Sequence, residues 1–123
     1  MNHEQFMQDK MRIVQELVPG KQITLAHIIA NPDDILYRKL GLDPAVEYSK
    51  TAIGIVTMSP AETAIIAGDI AIKSSAVELG FVDRFSGTLV ITGTISEVEA
   101  AFRAVTEYAQ VKLGYNVCEV TKT

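Results

Sequence analysis

From Ala52 onward the chain spells one local pattern twice: an apolar strand, a helix opened by a capping signal, and a second strand, with only short connections between them. In the first copy, Ala52 to Met58 is an apolar strand. Ser59-Pro60-Ala61-Glu62 reads as a capping box with proline at the first helical position, the helix runs to about Ser74, and Val77 to Val82 is the second strand. In the second copy, Thr88 to Thr94 alternates around Leu89, Ile91 and Gly93. Ser96-Glu97-Val98-Glu99 is a second capping box, its helix runs to about Leu113, and Gly114 leads into a last strand, Tyr115 to Val120.

Two successive units of this kind restrict the chain to an α+β, ferredoxin-like arrangement, an antiparallel sheet with its helices on one face. Upstream, Gln22 to Ala30 has the length and β-branched content of a buried strand. Asn31 as N-cap, Pro32 at the first helical position, and Asp33 and Asp34 in the first turn predict a helix that ends at Gly41. Leu42 to Lys50 is a connector, and the last strand either competes with Gln22 to Ala30 for one place in the sheet or adds a fifth strand. Residues 1–11 read as a polar tail of mixed charge, and Arg12 to Val18 is a β-leaning piece stopped by the Pro19-Gly20 turn. A chain of 123 residues has room for one core, so 12–123 is read as a single domain.

The two long helices differ. In the second, Val98, Ala101, Phe102, Val105, Ala109 and Leu113 form one stripe opposite Glu99, Arg103, Glu107 and Gln110, the signature of a half-buried helix. The first is apolar nearly all round, with Glu62, Thr63 and Asp69 as its polar residues before Lys73. One of its faces packs on the sheet, and the other meets water unless another subunit covers it. Hydrophobic residues make up 48% of the chain, enough for some apolar area to face other copies.

Residues able to do chemistry are sparse. The motifs of phosphate, dinucleotide, zinc-protease and serine-hydrolase sites are absent. His3 lies in the tail, and His27 lies in a strand, where it reads as a satisfied core or interface histidine. Cys118 is the only cysteine, so it forms no intrachain disulfide and no multi-thiolate zinc site, and it reads as a buried strand residue without an activating base. Asp33 and Asp34 are explained by the helix end, Asp69 and Lys73 by an i,i+4 pair, and Asp83 to Gly87 by a hairpin turn. No catalytic, cofactor or metal residue is assigned. A net charge of −4 without a basic run argues against nucleic acid and anionic membranes as partners. The opening residues lack the apolar core of a secretory signal, and no apolar run reaches membrane-spanning length, so a cytosolic setting is expected.

From Thr51 onward the sequence resembles the shell domain of bacterial microcompartments. The likeness rests on Ala71-Ile72-Lys73-Ser74-Ser75-Ala76-Val77, on Gly80-Phe81-Val82-Asp83-Arg84-Phe85-Ser86-Gly87, and on the capped helix Ser96 to Leu113. Leu25-Ala26-His27-Ile28-Ile29-Ala30-Asn31-Pro32 and the helix after it resemble the strand and helix that close the standard domain, yet here they come first. That order, together with Val18-Pro19-Gly20-Lys21-Gln22-Ile23-Thr24, is similar to the circularly permuted class of ethanolamine, propanediol and choline utilisation compartments.

The resemblance implies a structural, non-enzymatic shell subunit inside the cytoplasm. It would form hexamers that tile with other shell proteins around encapsulated enzymes, through heterologous contacts that close into rings or open into screws. It implies that Phe85, Ser86 and Gly87 lie near the six-fold axis and that Lys73 sits at the hexamer edge. Arg12, Ile13, Val14, Gln15, Glu16, Leu17 and Val18 would supply one strand of a six-stranded central barrel over the axis. Asn31 stands where the standard domain has an arginine, so contacts of that arginine do not transfer. The competing expectation, from another class, is a small ferredoxin-like regulator binding a metabolite between subunits.

Overall fold

Strand β2 (Ala52–Ser59) is the spine of the sheet, because its residues are apolar in both alternations and need cover on both sides. The structure is a computed structural model, and it describes residues 20–42 and 51–123. The tail 1–11, the strand expected over Arg12–Val18 and the connector residues 43–50 lie outside the described residues. Strand β1 (Gln22–Ile29) pairs antiparallel with β2, placing Ala26 opposite Val56 and Ile28 opposite Gly54. On the other side of β2 lies β4 (Thr88–Gly93), with Ile91 opposite Gly54 and Leu89 opposite Val56, and β3 (Glu78–Asp83) closes that end of the sheet. These four strands are antiparallel, as expected.

The end of the chain adds to the sheet instead of displacing β1. Two short bridges, β5 (Asn116–Val117) and β6 (Thr121–Lys122), run parallel to β1 along its outer edge and make the sheet mixed. The continuous strand expected over Tyr115–Val120 is therefore broken, and residues 118–120 carry no ladder of their own.

Helices α2 (Thr63–Ser74) and α3 (Ile95–Val111) share one face of the sheet, where Val56, Leu89 and Ile91 pack with Ala64, Ala67, Val98 and Phe102. The short helix α1 (Asp34–Lys39) corrects the expectation of helices on a single face. It covers the opposite side, where Tyr37 and Leu42 pack on Ile53 and Val90. The Tyr37 hydroxyl donates to the Thr51 carbonyl at 2.6 Å, which ties α1 to the start of β2.

All three helix starts differ from the local motifs, and for the two long helices the end of the preceding strand decides. Ser59 is still paired with Gln22 and stays extended, so α2 starts at Thr63 through i→i−3 bonds from Thr63, Ala64 and Ile65, without a side-chain cap. Strand β4 ends at Gly93, opposite Ala52, so the next residue caps α3. Thr94 Oγ1 accepts from Glu97 N at 3.2 Å and Glu97 Oε1 accepts from Thr94 N at 2.8 Å, a capping box two residues ahead of the expected one at Ser96. In α1 the cap is Asp33, accepting from Ile35 N at 3.1 Å, and not Asn31.

Candidate assembly surface

Helix α2 is inside out relative to an ordinary surface helix. Its small residues, Ala64, Ala67, Gly68 and Ala71, face the sheet and are buried, while Ile65, Ile66 and Ile72 stand exposed. The small side chains let the helix axis come close to the strands: a Cβ on Gly68 would lie 3.4 Å from Val82 and 3.5 Å from Leu79. The large side chains are then left on the far flank, where about half of each gains nothing from burial within one chain.

Between that flank, the β3 edge and the β3–β4 hairpin runs a groove of about 470 Å³. Its apolar lining includes Ile65, 53% exposed, Leu79, 41% exposed, and Phe85, 81% exposed, with Asp69, Asp83 and Arg84 as its charged residues. An isolated phenylalanine at 81% exposure on an ordered hairpin is an expensive feature for a monomer.

The hairpin is held by Asp83. Its carboxylate accepts from Phe85 N at 2.9 Å, Ser86 N at 3.4 Å and Ser86 Oγ at 2.8 Å, while its carbonyl accepts from Gly87 N at 2.9 Å. Gly87 has φ +76°, a left-handed conformation that suits glycine, and a Cβ there would run into the Met58 carbonyl. Because the Ser86 hydroxyl is turned back to Asp83, with Thr88 Oγ1 2.9 Å away, the outermost groups of the loop are Phe85 and the Arg84 guanidinium lying 4.9 Å over its ring. In the sequence Asp83 stands only as the first residue of an expected hairpin turn, Asp83 to Gly87. The signal passed over was the Asx-turn spacing, an aspartate two residues before the backbone N–H it binds.

These bonds hold the Asp83 carboxyl below its ordinary value of 3.8, the Phe85 N–H contributing most and the Ser86 hydroxyl next. A depressed pKa means that the order it gives the loop is present above the ordinary carboxylate range and is lost as pH falls through the lowered value. A carboxyl NMR titration is expected to place the Asp83 midpoint below 3.8, with the Phe85 and Ser86 amides shifting together with it. A midpoint at or above that value would contradict the geometry.

The other singled-out residues have structural partners. Lys73 lies in the last turn of α2, exposed, and pairs with Asp69 at 2.9 Å. His27 places Nδ1 2.6 Å from Thr121 Oγ1 and Nε2 2.9 Å from Thr123 Oγ1, so both ring nitrogens are occupied. Cys118 is half-buried, and burial pushes its thiol pKa up, away from the reactive thiolate. Asp33 is the α1 cap and Asp34 occupies its first turn. Among the described residues no group of three or more His, Cys, Asp or Glu could hold a metal ion, and no helix is long and apolar enough to cross a membrane.

A mixed sheet backed by two helices, with an apolar groove along one flank, defines a module built to be covered by another protein surface. Comparison with known proteins gives that module its family. The BMC domain profile matches residues 52–121. The bacterial microcompartment shell protein PduU of Salmonella typhimurium (strain LT2) is 53% identical over 112 residues, covering 91% of this chain and 93% of that one. The shell protein EutS of Escherichia coli (strain K12) is 50% identical over 115 residues, covering 94% and 99%. Of solved structures, a flat hexamer of CutR, form 1, superposes with a TM-score of 0.78 at 44% identity over 86% of this chain and 94% of that one. The chain belongs to the BMC domain family of bacterial microcompartment shell proteins. Strand β1 precedes the matched region yet joins the same sheet, and helix α1, also ahead of it, packs on that sheet.

Proposed function

We propose that six copies of this chain close into a ring through the α2–β3 flank, and that the rings tile with other shell proteins into the wall of a microcompartment in the cytoplasm, around encapsulated enzymes. The chain does no chemistry of its own. The exposed apolar groove of Ile65, Leu79 and Phe85 carries this reading, and the hexamer formed by CutR supports it. A ring of six is heterologous, so the groove meets a different surface of the next copy. In this reading residues 12–123 act as one shell domain, and Arg12–Val18 gives a strand to a barrel on the axis. Phe85, Ser86 and Gly87 lie near the axis, with Phe85 outermost. The regulator reading is not favoured by relatives that are shell proteins.

Sedimentation velocity and electron microscopy of the purified chain test the proposal: rings of six and extended sheets are expected, and a stable monomer at micromolar concentration refutes it. Stoichiometric binding of a soluble metabolite by a small discrete oligomer would favour the regulator instead. Lys73, exposed at the end of α2, is assigned to the ring's outer edge. An exposed charged contact is worth about 1 kcal/mol or less, but the six-fold ring repeats it around its rim. Lys73→Ala is therefore expected to keep the rings and to reduce sheet formation. Sheets of unchanged extent under the microscope would remove Lys73 from the edge.

A further inference from the structure

Strand β1 is a hazard that the fold covers. Gln22–Ile29, Gln-Ile-Thr-Leu-Ala-His-Ile-Ile, is eight residues long and contains no proline, glycine, aspartate, glutamate, lysine or arginine. A β-rich, low-charge segment of this kind is the composition that pairs edge to edge with a second copy of itself. Its inner edge is taken by β2, and its outer edge would be a free template without the end of the chain.

We propose that the C-terminal residues Thr121–Thr123 are an autoinhibitory strap: they occupy the outer edge of β1 and so prevent it from pairing with β1 of another copy, with His27 as the clasp. Several observations converge on these three residues. Their backbone ties to β1 and the residue after it run in both directions, Thr123 N to the Ile28 carbonyl at 2.9 Å and Ala30 N to the Thr123 main-chain oxygen at 2.8 Å. On one face of the sheet the two threonine hydroxyls grip both nitrogens of His27, at 2.6 and 2.9 Å. On the other face Lys122 Nζ reaches Glu99 Oε1 on α3 at 2.7 Å. A terminal segment with all three residues exposed buries little apolar area, so these polar ties serve position more than core stability. The strap also has properties that blunt an edge: it is separated from β5 by residues 118–120, which carry no ladder, and it carries a lysine.

The occupant held off is a second β1, because an antiparallel pair of identical strands is self-complementary about a two-fold axis and every copy carries one. Such a pairing would join subunits through the sheet end opposite β3, a contact separate from the α2–β3 flank.

The test compares the full chain with a chain ending at Glu119 and with His27→Ala, by circular dichroism, sedimentation velocity and thioflavin T fluorescence. The shortened chain is expected to keep native circular dichroism while forming larger species with at least several-fold higher thioflavin T fluorescence. A shortened chain that is folded and assembles like the full one overturns the proposal. So does one that is unfolded, since the residues would then be core and not cover. His27→Ala is expected to retain assembly size but to speed amide hydrogen exchange at Ala30 and Thr123 by about tenfold, whereas unchanged exchange removes His27 as the clasp. This outcome is independent of whether the rings contain six copies.

Discussion

Replacing Ile65 by aspartate is expected to give a folded chain that no longer assembles. The fold should tolerate the change because Ile65 is more than half exposed. It also lies in the first turn of α2, which holds no acidic residue after the N-cap Glu62 and has no side-chain cap, and a carboxylate there gains at most about 0.3–1 kcal/mol from the helix dipole. In an assembly the same position is covered. Burying an isoleucine side chain fully is worth about 1.5–3 kcal/mol; with Ile65 53% exposed in the single chain, roughly half of that is gained on assembly, and it is lost. The new carboxylate would meet Asp69 and Asp83 in the groove with Arg84 as the lone cation among the lining residues, so its desolvation is poorly compensated. A deficit of about 3 kcal/mol per contact corresponds to more than a hundredfold in affinity. Sedimentation equilibrium should show monomers at concentrations where the parent chain is assembled, with matching circular dichroism. Assemblies of parental size would take the α2 flank out of the interface. Loss of the folded signal would place Ile65 in the core.

The exposed flank behind this prediction was legible in the sequence because it rests on composition: a helix whose only polar residues before Lys73 are Glu62, Thr63 and Asp69 cannot hide both faces, whatever its exact ends. The four antiparallel strands and the two long helices were legible for the same reason, since long alternating or periodic segments leave few packings. What failed was local. Ser59 and Ser96 carry good capping signals, but strand pairing holds Ser59 extended and the end of β4 hands the cap to Thr94. The side of the sheet taken by α1 was hidden because six residues give too short a periodicity to orient a helix. It could have been inferred from Ile53, Ile55 and Val90, apolar residues on the face that the long helices leave bare. His27 was read correctly as satisfied, but its partners lie 94 and 96 residues away, a separation that no local pattern reports. The ring, the axis and the edge came from the family resemblance, because one chain's sequence encodes a contact surface without encoding how many copies meet there.

The core under α3 gives the largest expected loss of stability. Phe102 is 1% exposed, and its ring lies against Gly54 at the centre of β2: a Cβ built on Gly54 would fall 2.8 Å from Phe102 Cε1 and 2.7 Å from Val98 Cγ1. The absence of a side chain at 54 is therefore what lets α3 settle on the sheet. Phe102→Ala should cost about 3–5 kcal/mol, through lost burial and the cavity left behind, a large share of the ~5–15 kcal/mol that holds a domain together. Gly54→Ala should cost about 1–3 kcal/mol for the opposite reason, because Val98 and Phe102 must move out of rotamer minima or lift the helix. The two faults are complementary. Without the Phe102 ring the new methyl group fills part of the space, α3 and the Val98 side chain can move to relieve the remaining 2.7 Å approach, and alanine loses less backbone entropy in a strand than glycine. Chemical denaturation of the two single variants and the double one should thus show a combined loss smaller than the sum by about 1 kcal/mol or more, the coupling expected of residues in contact. Strict additivity would mean that Gly54 and Phe102 do not share the space assigned to them.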